Sequence, residues 1–299
     1  MPNDEYLRYV ALGDSQTEGV GDGDDLTGLR GWADRLAETL APHHPGLRYA
    51  NLAVRGRLAG QVLDEQLAPA LALRPDLATV VAGVNDLLRP RFDADEVAGR
   101  VESMFAALTA QGARVATVTF PDVATLLPIA RPVGARVTAL NDRIRSAARR
   151  HGVVVAETAA HPVVGDPRMW SPDRLHASPL GHARIAAAVA HALAVPGTDD
   201  SWTHPLSDPR PAVPVGWRQA TGELRWAASF LGPWTARRLR GRSSGDGRAA
   251  KRPRLTPVFA DGADGRTDGR TNGLADSRAD GRTERRADGL ADGHAPERH

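Results

Sequence analysis

Strand-like and helix-like segments alternate from residue 8 to residue 194, and this alternation constrains the fold more than any other feature. Short apolar segments have the length of buried strands at residues 8–12, 47–53, 77–83, 113–120 and 153–156. Segments with helical spacing of apolar residues lie between and after them, at residues 31–41, 62–73, 97–110, 136–151 and 179–193. Strands connected through helices form right-handed βαβ units and a parallel sheet. The sequence therefore predicts an α/β fold, a three-layer α/β/α sandwich around a five-stranded parallel sheet.

The composition changes after residue 196, which we take as the end of the α/β domain, residues 1–196. Residues 197–216 contain four prolines and are expected to form an irregular linker. Residues 217–257 are basic and aromatic, and the spacing of their large apolar residues favours a helix. Residues 258–299 repeat Asp-Gly pairs and have almost no apolar residue to bury, so a disordered low-complexity tail is expected.

Charge and cysteine content exclude several classes of function. The formal net charge is only +2, so the chain as a whole is not expected to bind nucleic acid. The absence of cysteine excludes disulfides, a thiol nucleophile and zinc–thiolate sites. We find neither a signal-peptide pattern nor an apolar run of the roughly 20 residues that span a bilayer. A cytoplasmic monomer is the expectation.

Gly13-Asp14-Ser15 follows the first predicted strand directly. Gly13 permits a sharp turn that presents Ser15 at the carboxyl end of the sheet, where folds of this class bind ligands. A serine hydroxyl becomes a good nucleophile only with a base in reach. Asp173 and His176 come after the last predicted strand, at a spacing that lets the carboxylate orient the imidazole. The plainer alternatives are an N-capping serine and a surface Asp beside a helix-flanking His.

Two further motifs follow predicted strands at the same edge. Gly83-Val-Asn85-Asp86 closes the third strand, where the Asn85 amide can donate a hydrogen bond to developing negative charge. Gly56, in the turn after the second strand, offers a backbone N–H that a ligand can approach closely. Two or three such donors form an oxyanion hole. Because Asn, Asp and Gly are common turn residues, turn formation alone is the alternative for each motif.

The four motifs occur in the order Ser, Gly, Asn and Asp-x-x-His, and in this the sequence resembles the SGNH (GDSL-like) hydrolase family. The resemblance extends over about residues 8–194 and includes Trp170, three residues before Asp173. It implies a flavodoxin-like sheet and hydrolysis of esters or thioesters through an acyl-enzyme. It implies neither a metal nor another cofactor.

The same resemblance assigns roles to individual residues. Ser15 is the nucleophile, His176 the general base and Asp173 the group that orients the base. The backbone N–H groups of Ser15 and Gly56 and the side-chain amide of Asn85 form the oxyanion hole. The supporting residues within the same motifs are Gly13, Asp14, Gly83 and Asp86.

Two other functions use the same sequence features. An acyltransferase would share the triad chemistry until the acyl group passes to an alcohol or sugar instead of water. A non-catalytic binding protein on the same fold is the alternative from another class. It is disfavoured because the nucleophile, the base and the oxyanion donors are all present.

The expected substrate is a small-molecule, lipid or carbohydrate ester. Apolar residues between 121 and 132 favour one apolar wall of the cleft, and hence short acyl or lipid-like esters. Between residues 217 and 252, nine Lys and Arg residues stand against two acidic ones. This basic stretch is a candidate for peripheral contact with an anionic membrane surface or an acidic partner. Packing on the catalytic domain is the alternative that we favour.

Overall fold

The computed structural model describes residues 5–122, 131–207, 229 and 243–258. Its strands, numbered along the chain, are β1 (Arg8–Gly13), β2 (Gly23–Asp24), β3 (Gly28–Leu29), β4 (Arg48–Asn51), β5 (Leu77–Val81), β6 (Arg114–Val118), β7 (Val154–Ala156) and β8 (Arg252–Pro257). Strands β2 and β3 form a separate antiparallel hairpin. The other strands form one sheet, in the order β7-β6-β5-β1-β4-β8.

The centre of the sheet is parallel throughout. Strand β1 pairs in parallel with β4 and β5, and β6 continues the parallel arrangement from β5 to β7. The resulting order of these five strands is that of a flavodoxin-like sheet. The predicted α/β class and its parallel core of five strands are therefore confirmed.

Helices cover both faces of the sheet. They are α1 (Ser15–Glu18), α2 (Trp32–Leu40), α3 (Ala59–Ala72), α4 (Val84–Leu87), α5 (Ala94–Ala110), α6 (Arg131–His151) and α7 (Pro179–Ala192). Helices α2 and α7 pack against each other on one face, and α3, α5 and α6 pack together on the other. This arrangement confirms the three predicted layers. Within the described part of the chain, no helix has both the length and the apolar character needed to cross a membrane.

The sheet has one strand more than predicted. Strand β8 pairs antiparallel with β4, with Tyr49 opposite Thr256 and Asn51 opposite Arg252. Strand pairing at Arg252–Pro257 corrects the expectation that the 217–257 segment is helical, and it also extends the sheet beyond residue 196. The two prolines of β8 are compatible with this position because an edge strand need not donate every ladder hydrogen bond.

Cations at the C-terminal end of the predicted basic segment contact the α/β domain itself. Lys251 Nζ lies 2.5 Å from Asp34 Oδ2, and Arg248 Nη2 lies 2.6 Å from Asp25 Oδ2. Three predicted parts of the chain lie outside the described residues. They are the linker beyond residue 207, the basic segment before residue 243 apart from Ser229, and the tail beyond residue 258. Their assignments stay predictions.

Buried polar side chains fix the carboxyl end of β1. The Gln66 side chain of α3 bonds both backbone groups of Gly13, accepting from its N–H at 2.9 Å and donating to its carbonyl at 2.9 Å. Four residues before Gly13, the Tyr9 hydroxyl of β1 bonds the Thr79 hydroxyl of β5 at 2.9 Å. Since unpaired buried polar groups are costly, these bonds specify where β1 ends.

His182 of α7 holds the loop after α1 and the start of α2. Its side chain is fully buried, Nδ1 accepts from the Trp32 N–H at 3.1 Å and Nε2 lies 3.1 Å from the Val20 carbonyl oxygen. Burial lowers the pKa of His182 to about 4, although the bond to Val20 favours the charged form. The ring is therefore neutral, donating from Nε2 and accepting at Nδ1.

We expect His182→Ala to lower the free energy of unfolding at pH 7.5 by about 2–4 kcal/mol, because it leaves a cavity and two unpaired backbone groups. The folded-state pKa lies below the ordinary value, so the stabilisation is complete above about pH 6.5 and is lost as the pH falls through 4. Urea unfolding of both proteins between pH 4 and pH 8 measures this difference. A difference that does not shrink at low pH would contradict the neutral, buried imidazole.

Candidate active site

The turn after β1 places Ser15 at the carboxyl end of the sheet. Ser15 is the first residue of α1, and Asp14 caps this helix by accepting the Gln16 N–H at 3.2 Å. A Cβ on Gly13 would lie 2.6 Å from the Val81 carbonyl oxygen and would also collide with the Thr17 hydroxyl. Only glycine therefore fits between β1 and β5 at this turn.

His176 reaches Ser15 from the loop before α7. Its Nε2 lies 2.9 Å from Ser15 Oγ, and its Nδ1 lies 2.6 Å from Asp173 Oδ2. The other Asp173 oxygen, Oδ1, accepts the N–H groups of Leu175 at 2.9 Å and His176 at 3.0 Å. Arg174, which follows Asp173, has a left-handed backbone with φ of 58°. The loop thus curls so that one carboxylate holds both the backbone and the ring of His176.

Asp173 is ionised in this arrangement. Burial disfavours its charged form, but the hydrogen bonds from the His176 ring and the Ser171 hydroxyl outweigh burial and hold the pKa of Asp173 well below its usual range. Ser171 Oγ donates to Asp173 Oδ1 at 2.6 Å. An anionic Asp173 keeps the proton on His176 Nδ1, which leaves Nε2 free of its proton and facing Ser15 Oγ.

Gln16 connects α1, which begins with Ser15, to the loop that carries His176. Its side-chain amide donates to the Leu175 carbonyl at 2.8 Å and accepts the Ala177 N–H at 3.3 Å. These bonds enclose His176 on both sides and attach its loop to α1. Sequence reasoning assigned Gln16 no role, because its partners are backbone groups 159 and 161 positions away and no motif signals them.

The other predicted residues follow strands β4 and β5. Gly83 lies two residues after β5 and precedes α4 with φ of 118°, a conformation that favours glycine, and Asn85 follows in α4. The Asn85 amide nitrogen lies 3.1 Å from Asp14 Oδ2 and 3.1 Å from the Arg57 carbonyl oxygen. Gly56 also has a positive φ, of 77°, and it lines the same cleft as Ser15.

Two carboxyl groups of the predicted motifs have shifted pKa values, the buried Asp14 and the half-buried Asp86. Burial raises the pKa of Asp14 to about 7, although bonds from Gln16 and Asn85 favour its ionised form. Burial also raises the pKa of Asp86, whose Oδ2 accepts the Ala59 N–H at the start of α3 at 2.9 Å. Asp86 therefore positions a helix, whereas Asp14 contacts Asn85 directly.

An ion pair holds the loop that carries Gly56. The Arg55 N–H donates to Glu18 Oε2 at 2.6 Å, and the Arg55 guanidinium donates to Glu18 Oε1 at 2.8 Å. Glu18 ends α1, the helix that starts with Ser15, and its side chain is buried. The loop is thus tied to the helix that begins with Ser15. Sequence reasoning missed this pair because its partners are 37 positions apart and lie in different motifs.

The site opens into a cleft with a cavity of about 330 Å³. The predicted residues Ser15, Gly56, Asn85, Asp173 and His176 all line it. Much of the remaining wall is apolar, and includes Val81, Val84, Leu87, Leu88, Val118, Phe120, Val133, Val137, Met169 and Ile185. Of the apolar wall predicted at 121–132, residues 123–130 lie outside the described part of the chain. The described residues contain no group of three or more His, Asp or Glu side chains placed to hold a metal ion.

Comparison with known proteins places the chain in a family. Residues 11–184 match the model of the GDSL-like Lipase/Acylhydrolase family, and the chain belongs to this family. This confirms the family predicted from the sequence motifs. No curated protein gives a significant match.

Solved structures share the fold. LAE5, an alpha/beta hydrolase enzyme from the metagenome of Lake Arreo, is 21% identical with a TM-score of 0.52, over 63% of this chain and 95% of that chain. A lipase/acylhydrolase from Enterococcus faecalis is 19% identical with a TM-score of 0.52, over 62% and 94%. The acetylxylan esterase Axe2 from Geobacillus stearothermophilus is 18% identical with a TM-score of 0.55, over 68% and 99%. At these identities the likeness concerns the fold alone.

The raised pKa of Asp14 predicts a stability effect with a definite sign. The protonated carboxyl stabilises the fold below about pH 4, and this contribution is lost as the pH rises through 7. Asp14→Asn keeps an acceptor for the Gln16 N–H but cannot ionise. The stability of the wild-type protein relative to Asp14→Asn should therefore fall by a few kcal/mol, as an order of magnitude, between pH 4 and pH 8. Chemical denaturation of both proteins across this range measures it, and a constant difference would show that Asp14 titrates normally.

Proposed function

We propose that the chain is a serine esterase that hydrolyses carboxylic esters through an acyl-enzyme. The observation that carries this proposal is the continuous chain from Ser15 Oγ through the His176 ring to the Asp173 carboxylate, with distances of 2.9 and 2.6 Å. A hydroxyl, an imidazole and a half-buried carboxylate in this order form an activated nucleophile. Membership of a lipase and acylhydrolase family supports the same reaction class.

In the first step, Ser15 Oγ attacks the ester carbonyl carbon while His176 Nε2 takes the hydroxyl proton. Asp173 remains ionised and stabilises the imidazolium that forms. The tetrahedral intermediate then collapses as His176 returns the proton to the departing alcohol oxygen, which leaves the acyl group on Ser15. In the second step, His176 removes a proton from water, water attacks the acyl carbon, and the acid is released as Ser15 recovers its proton.

The oxyanion of each tetrahedral intermediate is stabilised by the N–H groups of Ser15 and Gly56 and by the Asn85 amide. Ser15 lies in the first turn of α1, where the helix dipole favours negative charge. The Asp14 and Arg57 oxygens that contact the Asn85 nitrogen fix the amide in the cleft wall. One of its N–H groups is then shared with the oxyanion as charge develops.

The apolar part of the cleft supports an ester with an apolar acyl group. Val84 of α4, Phe120 just after β6 and Val137 of α6 line this part of the cleft. Burying a hydrocarbon chain there contributes about 0.8 kcal/mol for each CH₂ group removed from water. A cavity of about 330 Å³ accommodates more than an acetyl group.

The triad assignment predicts the loss of nearly all esterase activity in Ser15→Ala and in His176→Ala, because triad members act as a unit. The variants are assayed with p-nitrophenyl esters of increasing acyl length, beside Ser103→Ala and His43→Ala as exposed controls. A fluorophosphonate should label wild-type Ser15 and should not label Ser15→Ala. For the wild type, kcat/KM should rise from acetate to longer acyl chains. A Ser15→Ala enzyme that keeps more than about a tenth of wild-type kcat would exclude Ser15 as the nucleophile.

Removing the Asn85 amide should lower kcat far more than it raises KM, because the donated bond is strongest in the transition state. The expected loss in Asn85→Ala is about 10²–10³-fold in kcat, the usual cost of one oxyanion donor. Asn85→Asp should lose at least as much, since a carboxylate would face developing negative charge. Thermal unfolding recorded beside the kinetics separates this from misfolding. If kcat per folded Asn85→Ala molecule stayed within about threefold of wild type, Asn85 would have only a turn-forming role.

A further inference from the structure

A turn near the C-terminal end of the described chain lies against the loop of Gly56. We call residues 243–248 the C-terminal turn. Ser243 Oγ donates to the Gly56 carbonyl at 3.3 Å and accepts the Gly245 N–H at 3.2 Å. The Ser243 N–H in turn donates to Asp246 Oδ2 at 2.8 Å. One serine hydroxyl therefore connects the shape of the C-terminal turn to the backbone of Gly56.

The close contact between the two loops leaves no room for a side chain at Gly56 or Gly245. A Cβ on Gly245 would collide with the Arg55 carbonyl oxygen, although Gly245 is not in the left-handed region of backbone space. A Cβ on Gly56 would collide with Ser243 Oγ and lie 3.0 Å from Ser244 Oγ. Gly245 is buried, and Ser244 lines the cleft that contains Ser15. Both glycines are thus required by the close approach of the other loop.

Contacts at and beyond its last residue anchor the C-terminal turn to the α/β domain. Its last residue, Arg248, makes a two-pronged contact with Asp25 at 3.1 and 2.6 Å. Asp25 also accepts a hydrogen bond from the Arg55 guanidinium at 2.9 Å. Because Arg55 also pairs with Glu18 at the end of α1, a series of ion pairs connects Arg248 to α1. Just beyond the turn, Lys251 binds Asp34 and β8 joins the sheet beside β4. Exposed ion pairs contribute little alone, so strand pairing supplies the stronger anchor.

We propose that the C-terminal turn is a positioning element of the active site, which holds Gly56 so that its N–H faces the oxyanion. The inference rests on the proposed esterase function and extends it to a segment outside the residues 11–184 that the family model matches. Ser243 and Gly245 act through Gly56 and do not touch the reacting atoms. Displacing a catalytic donor by about 1 Å costs on the order of 10²-fold in rate, so a small shift of this loop is measurable.

The test compares substitutions in the turn with matched substitutions on α5. Gly245→Ala is paired with Gly99→Ala, where an added Cβ meets nothing within 4 Å. Ser243→Ala is paired with Ser103→Ala, which also removes a hydroxyl bonded to a glycine carbonyl, here Gly99 at 2.9 Å. For each protein, kcat and KM with a p-nitrophenyl ester, the melting temperature and the affinity for a trifluoromethyl ketone are measured. The ketone forms a hemiketal oxyanion with the active serine.

Gly245→Ala should lower kcat about 10- to 100-fold, and Ser243→Ala about two- to tenfold. KM should stay within about threefold of wild type, and the ketone affinity should fall in parallel with kcat/KM. Neither change is expected in Gly99→Ala or Ser103→Ala. The kinetic loss should remain after correction for any change in melting temperature, because a structural role alone would not weaken oxyanion binding selectively.

Two results would overturn the inference in different ways. If wild type hydrolyses esters and is labelled at Ser15, but both turn variants match their α5 controls in kcat and ketone affinity, the turn does not position Gly56. Should Gly245→Ala fail to fold, Ser243→Ala decides the question alone. A wild-type protein that neither hydrolyses esters nor reacts with a fluorophosphonate would instead overturn the proposed function, and this inference with it.

Discussion

The hydrogen bond between Ser15 Oγ and His176 Nε2 joins residues that are 161 positions apart. Most of the described polar contacts around the site hold one of these two residues in place. On one side, Gln66 fixes the end of β1 and Asp14 caps α1, which sets the position of Ser15. On the other side, Asp173 holds the backbone and the ring of His176. Buried or half-buried polar groups do this work with directional bonds, whereas apolar packing alone would leave the hydroxyl and imidazole free to rotate.

Much of the fold can be predicted from the sequence because the signals for its strands and helices are local. Each parallel strand is a short buried segment between amphipathic helices, and the motifs that follow the strands must meet at one sheet edge. Strand β8 has no such signal. Its sequence contains two prolines and two arginines, and no residue in it is buried, although Leu255 packs against the core while partly exposed. Arg252–Pro257 is a strand because β4 presents an open edge beside it, which is a tertiary effect.

The candidate site shows the same contrast between local sequence signals and tertiary effects. The residues predicted from the sequence are those whose backbone must turn at a strand end, such as Gly13 and Gly83, or that stand in a fixed spacing, such as Asp173 and His176. Gln16, Arg55 and Ser243 could not be predicted, because each acts through a backbone group or a charge that is distant in the sequence. Motifs at strand ends can therefore be identified from one sequence, while the contacts that hold them in place require the three-dimensional structure.

The edge position of β8 has a consequence for association between chains. A shorter chain that stopped at residue 196, where the composition changes, would lack the strand opposite Arg48, Tyr49 and Asn51. Unpaired N–H and C=O groups along β4 would then form a template for strand addition from a second molecule. The Tyr49 ring would also lose the Arg252 guanidinium that lies 5.0 Å from its centroid. With residues 252–257 in place, β8 occupies this edge, and its two exposed prolines have no N–H to donate to a further strand.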